Sequence, residues 1–201
     1  MKNDVTIYNQ YAPVMDTGDS LLYVGNAFIS HVIQWWVKIF LLLKKEKDKP
    51  KMNWRPWPLK TACFPIYNHG NMVLRLAAYE GKTDRRWVLD ARASGVFPVL
   101  LSRYLEEYNG HCYWYPLKDQ YGPQRVAIGC TALELAGRKY DFMGLVKNAL
   151  GRVSANARKV FCTESIFLSY RDGGKIVVGD KTPRPDQLPA LGVFKEPIKL
   201  F

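Results

Sequence analysis

Two apolar runs, NMVLRLAAY (71–79) and RRWVLDA (85–91), flank the polar, glycine-containing EGKTDR. That arrangement describes an antiparallel hairpin and commits the middle of the chain to a sheet. Further strand signals lie on both sides. GDSLLYVGN (18–26) opens with a Gly-Asp turn and runs into a short apolar strand, and HCYWYPL (111–117) reads as another. GVFPVLLSRYLEEY (95–108) reads as a strand giving way to a short helix. Helical spacing follows in RVAIGCTALELAG (125–137) and FMGLVKNAL (142–150), and KTPRPDQLPALGVF (181–194) is a turn-rich closing segment. Strands and helices are segregated along the chain, which predicts an α+β fold with an antiparallel sheet packed against helices.

Before the hairpin, AFISHVIQWWVKIFLLLKK (27–45) contains neither proline nor glycine and reads as a helix. His31, Gln34 and Lys38 interrupt it, and its apolar length falls short of the roughly 20 residues of a membrane span. A buried helix is the first expectation. An interfacial helix, with Trp35 and Trp36 at headgroup level, is the alternative. The connector at about 44–60, rich in lysine, proline and tryptophan, reads as a long surface insertion whose Trp54 and Trp57 pin it down.

With 201 residues and 48% hydrophobic composition, the chain suits a single domain, 1–201, carrying that basic insertion. A net charge of +11 favours anionic partners: nucleic acid, an acidic membrane surface or an acidic cell-wall polymer. The first residues lack the basic, apolar and small-residue pattern of a secretory signal. The expectation is a cytoplasmic protein, with peripheral membrane attachment as the alternative. Four cysteines, Cys63, Cys112, Cys130 and Cys162, show no CxxC spacing, so reduced thiols and no structural zinc are expected.

One cysteine carries more. In KVFCTESIFLSY (159–170), Cys162 stands where a strand-like run meets an amphipathic helix, with Phe161, Ile166 and Tyr170 expected inward and Thr163 and Glu164 in the first turn. Unpaired N–H groups there favour a thiolate and can also stabilise an oxyanion. The alternative is a packed, inert thiol, the commoner fate of a free cysteine. A nucleophile needs a base, and the chain has three histidines. His31 falls inside the apolar helix and His111 follows the Asn109-Gly110 turn. His69 lies at the mouth of a strand with Gly70 leaving room beside its ring, which makes it the first choice and His31 the fallback. Asp90, at the end of the partner strand, can orient the imidazole; pairing with Arg92 or Arg75 is the competing role.

These stretches, in this order, resemble the circularly permuted branch of the NlpC-type papain-like cysteine hydrolases, related to lecithin–retinol acyltransferase. GDSLLYVGNAFISHVIQWW is similar to that family's opening Gly-Asp strand and helix, and NHGNMVLRL to its histidine strand. RRWVLDARASGVFPVLLSRYL resembles the next strand and turn, KYDFMGL with FCTES the cysteine segment, and RPDQLPAL the closing motif. Together they span about residues 18 to 194. The resemblance implies a papain-like fold with the nucleophile at a helix N-terminus. It also implies Cys162 as nucleophile, His69 as base and Asp90 as orienter, with no cofactor or metal. Departures are Asn68 in place of a small hydroxyl residue, Asp90 in place of a longer acid, and the long basic loop. The implied activity is acyl transfer through an acyl-enzyme, first on an amide bond in a peptide or cell-wall peptide. Alternatives are lipid ester or thioester chemistry at a membrane surface and a non-catalytic basic module that binds nucleic acid or membrane.

Overall fold

The computed structural model describes residues 3–25, 67–76, 84–92, 94–141 and 159–201. The predicted apolar helix, the basic insertion, His31, Cys63, the EGKTDR turn up to residue 83 and FMGLVKNAL lie outside the described residues.

The fold is α+β, organised on a six-stranded antiparallel sheet. Its strands are β1 (Ser20–Gly25), β2 (His69–Leu76), β3 (Arg85–Arg92), β4 (Gly95–Leu100), β5 (Gly110–Tyr115) and β8 (Ile198–Lys199), in the spatial order β4-β3-β2-β1-β5-β8. A short parallel pair, β6 (Lys139–Tyr140) and β7 (Lys159–Val160), forms a second sheet. The helices are α1 (Thr6–Tyr11), α2 (Leu101–Glu107), α3 (Arg125–Glu134) and α4 (Cys162–Leu168), the last continuing into a π-helical turn at Ser169–Gly173.

The predicted hairpin is present: β2 and β3 pair with Met72 opposite Leu89 and Val73 opposite Val88. Because side chains alternate across a strand, this register sorts them onto two faces, and both are covered. Leu22, Met72, Leu74 and Leu89 face α3 and α4, where Ile128, Ile166, Phe167 and Tyr170 complete one apolar core. Leu21, Tyr23, Val73 and Val88 face α1 and α2, where Tyr8, Leu101, Tyr104 and Leu105 complete another. Gly70 belongs to the first face. A Cβ there would meet Leu22 Cδ2 at 3.0 Å and Ile166 Cδ1 at 3.3 Å, so the glycine makes room for α4 to lie close on β2 rather than for the His69 ring.

The α4 helix departs from the amphipathic pattern. Thr163, Glu164 and Ser165 are as buried as Ile166 and Phe167. Their polar atoms are satisfied in place: Thr163 donates to the Pro183 carbonyl (2.7 Å), Ser165 to the Cys162 carbonyl (2.7 Å), and Glu164 accepts from the Phe161 N–H (3.4 Å). A helix can bury polar residues on every side when each finds a partner.

The Gly-Asp turn before β1 ties the sheet to α3. Asp19 Oδ1 accepts from the Leu117 N–H (3.0 Å) and Arg125 (2.9 Å), and Oδ2 from the Trp114 indole (3.0 Å) and the Asp16 N–H (3.0 Å). Tyr170, at the end of the α4 segment, donates to the Gly18 carbonyl (2.6 Å), so this turn also anchors the helix that carries Cys162. The turn-rich tail supplies a 3-10 segment, Pro185–Leu191, and the edge strand β8.

Candidate active site

His69 is the first residue of β2 and Asp90 the sixth of β3. The register that pairs Met72 with Leu89, carried one residue further, sets Asn71 opposite Asp90 and leaves His69 diagonal to it on the same face. His69 Nε2 and Asp90 Oδ1 are 2.8 Å apart. The shorter acid therefore reaches the ring. Arg92, from the same strand, pairs with the other carboxylate oxygen, so the competing role expected for Asp90 is filled simultaneously. Arg75 instead pairs with Asp84.

Cys162 opens α4, on the opposite face of the sheet, and lies near enough to the His69 ring for the two groups to interact electrostatically. Asp90 occupies Nε2, so Nδ1 is the ring nitrogen left for the thiol. The three residues expected to act together are thus brought together. The His69 side chain is 18% exposed, while Cys162 is 1% exposed and belongs to the apolar core that α4 shares with β1 and β2. Being the first residue of a helix, it lies beside N–H groups that have no intrahelical acceptor. His111, by contrast, is exposed on β5.

The electrostatics follow from this geometry. Burial pulls the His69 imidazolium down, but its interactions with Asp90, which accepts from the ring, and with Cys162 outweigh it and raise the ring to about 10. Burial alone would push the Asp90 carboxyl up; His69 and Arg92 more than reverse it and hold it below its ordinary value.

Two polar side chains complete the surroundings. The Asn68 amide pairs with both backbone groups of Gly25, accepting from its N–H (3.2 Å) and donating to its carbonyl (3.3 Å). It extends the pairing of β1 with β2 and fixes the chain entering His69, a task for which a small hydroxyl residue is too short. Tyr140 brings a phenol within hydrogen-bonding reach of the Cys162 sulfur; burial first, then the charges of Cys162 and Asp90, push that phenol up. Its position comes from the parallel pairing of Tyr140 with Val160, two residues before the cysteine. Sequence reasoning did not single Tyr140 out; the only signal was its place in KYD, inside the stretch resembling the family's cysteine segment.

Among the described residues no three His, Cys, Asp or Glu side chains form a group able to hold a metal ion, and no helix is long and apolar enough to cross a membrane.

No family model matches the chain, and no curated protein does. Among solved structures it is similar to the crystal structure of the metalloprotein yiiX from Escherichia coli O157:H7, DUF1105. The TM-score is 0.51 at 18% identity, over 82% of this chain and 69% of that one. At this identity the likeness is one of fold.

Proposed function

We propose that the protein is a cysteine-dependent hydrolase of permuted papain-like architecture, working through an acyl-enzyme on an amide bond. The observation that carries the reading is the His69 ring itself, bound to Asp90 through Nε2 at 2.8 Å and electrostatically coupled to the Cys162 thiol at the start of α4. A carboxylate that holds the ring in one orientation and stabilises its charged form is what a thiolate–imidazolium pair requires.

In this chemistry the Cys162 thiolate attacks the carbonyl carbon, forming a C–S bond and placing the electron pair on oxygen. N–H groups in the first turn of α4 and the Tyr140 hydroxyl are the nearby donors for that oxyanion. The His69 imidazolium gives its proton to the leaving amine as the C–N bond breaks. Neutral His69 then takes a proton from water, whose oxygen attacks the acyl carbon. The C–S bond breaks, and the thiolate and imidazolium are restored. The yiiX protein is a metalloprotein; among the described residues here no three His, Cys, Asp or Glu side chains form a comparable ligand group.

The test is alkylation by iodoacetamide at pH 6, read by peptide mass so that Cys162 is separated from the exposed Cys130. An ordinary thiol is ionised to only about 1 part in 300 at that pH. Cys162 is expected to label about 100-fold faster than free cysteine, and the His69→Gln variant no faster. Equal rates for wild-type Cys162 and free cysteine would leave only a basic scaffold.

A further inference from the structure

Asn71 has no part in the chemistry above, yet it lies fully buried beside it. The amide orientation that satisfies both its ends points Nδ2 at Asp90 Oδ1 (3.0 Å) and the Gly70 carbonyl (2.9 Å), with His69 Nε2 at 2.9 Å. Its other end faces hydroxyls: Tyr23 Oη at 3.5 Å and, within hydrogen-bonding reach, Tyr104. An amide nitrogen has two hydrogens for the three groups around it: Asp90 Oδ1, the Gly70 carbonyl and the Nε2 edge of His69, and with Nε2 turned to Asp90 the two oxygens take them. The His69 Nε2–H donates to the same carboxylate oxygen.

Asp90 Oδ1 is therefore held from two directions at once, and Oδ2 is held by Arg92. Rotation of the carboxylate about its last bond would break all three contacts. Continued one residue beyond the Met72–Leu89 pair, the β2–β3 register sets Asn71 and Asp90 opposite each other, so this lock is built into the sheet.

We infer that Asn71 is a positioning residue, which fixes the Asp90 carboxylate so that it, in turn, fixes the His69 ring against Cys162. The inference rests on the proposed thiolate–imidazolium chemistry for its consequence and on the hydrogen-bond geometry for its existence. Asn71 touches no reacting atom. Its effect reaches Cys162 through Asp90 and through the edge of the His69 ring it touches, and a side chain of similar size without an N–H cannot replace it. A side chain needed only to fill space would be replaced by leucine with no change in the chemistry of the ring.

The experiment compares wild type with Asn71→Leu, which keeps the bulk, and Asn71→Ser, whose hydroxyl is too short to reach Asp90. Two quantities are read on the full chain: the ratio of iodoacetamide labelling of Cys162 at pH 6 to that at pH 9, and the 15N ring signals of His69 across the same range. Asn71→Leu is expected to lower the ratio about tenfold and to shift the His69 Nε2 signal, with the thermal midpoint as a check on folding. If the leucine variant does not fold, Asn71→Ser decides, with an expected fall of at least threefold. A folded variant with the wild-type ratio and unchanged ring signals overturns the inference while leaving the hydrolase reading intact. If wild-type Cys162 labels no faster than free cysteine, yet the ring signals still move in the variants, the hydrolase reading falls and the positioning role stands.

Discussion

Asp19 and Asp90 are both buried aspartates on or next to strands, both hold an arginine, and both use both carboxylate oxygens. Their electrostatics run in opposite directions. Burial pushes the Asp19 carboxyl up, and Arg125 with the backbone N–H groups only partly reverses it. At Asp90 burial also pushes up, but His69 and Arg92 win and the carboxyl is lowered. The difference lies in the partners. Asp19 meets mostly neutral donors, two N–H groups and an indole, which satisfy its lone pairs and join the β1 turn to β5 and α3. Asp90 meets a titratable ring that also faces a thiol. A buried acid wrapped in fixed donors holds a fold together; one whose charge is exchanged with a proton carrier can serve a reaction.

The comparison is most severely tested by removing each acid. Asp90→Asn keeps the shape but withdraws the charge opposite the imidazolium, and labelling of Cys162 at pH 6 is expected to fall about 100-fold, to the level of an ordinary thiol. Asp19→Ala leaves the part-buried Arg125 and the Trp114 indole without their acceptor, and urea unfolding is expected to show a loss of about 3 kcal/mol. A folded fraction of Asp19→Ala should still label like wild type. If instead Asp19→Ala abolishes labelling while Asp90→Asn leaves it unchanged, the division of roles drawn above is wrong.

The site's legibility in the sequence divides along the same line. His69 and Asp90 were readable because a two-residue period and a polar turn define the hairpin, and both residues stand near one end of it. Cys162 was readable because a helix start follows a strand. Asn71 was not, since its role depends on which residue of β3 stands opposite, and hydrophobic alternation gives the face of a strand without giving its partner. Tyr140 depends on a two-residue parallel pairing between segments twenty residues apart, too short to leave a pattern. The first helix, Thr6–Tyr11, buries only Tyr8 and has no apolar stripe. The first turn of α4 holds Thr163 and Glu164 as expected, but an amphipathic pattern does not reveal that they and Ser165 are buried, each with a partner that lies elsewhere in the fold or within its own turn.

Glu164 sharpens the comparison as a third buried acid, two residues from Cys162. Burial raises it to about 7; the Phe161 N–H opposes that and Asp141 adds to it. It should therefore behave like Asp19. A folded value above the unfolded one, near 4.5, means that its contribution is present below about pH 4.5 and is lost as pH rises through about 7. Glutamine keeps the carbonyl that caps Phe161 and cannot ionise. Glu164→Gln should gain on wild type between pH 5 and pH 8, by at most about 3 kcal/mol, since each pKa unit is worth about 1.4 kcal/mol. Urea titrations at the two pH values measure it. A difference that does not change with pH places the carboxylate in water and removes Glu164 from the group.

The finest distinction is between the acid limbs of Asp19 and Asp90, because their opposite directions predict opposite slopes. For Asp19, raised in the folded state, the native form keeps its proton where the unfolded chain has released it, so its contribution grows as pH falls from 6 to 3. For Asp90, lowered in the folded state, the contribution is present above the unfolded value of 3.8 and is lost on the same descent. Relative to wild type, Asp90→Asn should therefore lose less stability on acidification, and Asp19→Asn should lose more, with differences on the order of 1 kcal/mol in paired urea titrations. The hydrogen bonds each substitution removes add an offset that does not vary with pH, so the slopes carry the information. His69 supplies the alkaline counterpart: its contribution is full below about 6.5 and lost as pH rises through about 10, and Asp90→Asn should flatten that decline too. Two acid slopes of the same sign would mean that the two carboxylates feel their surroundings alike, and the contrast between a structural and a reactive aspartate would then have no electrostatic basis.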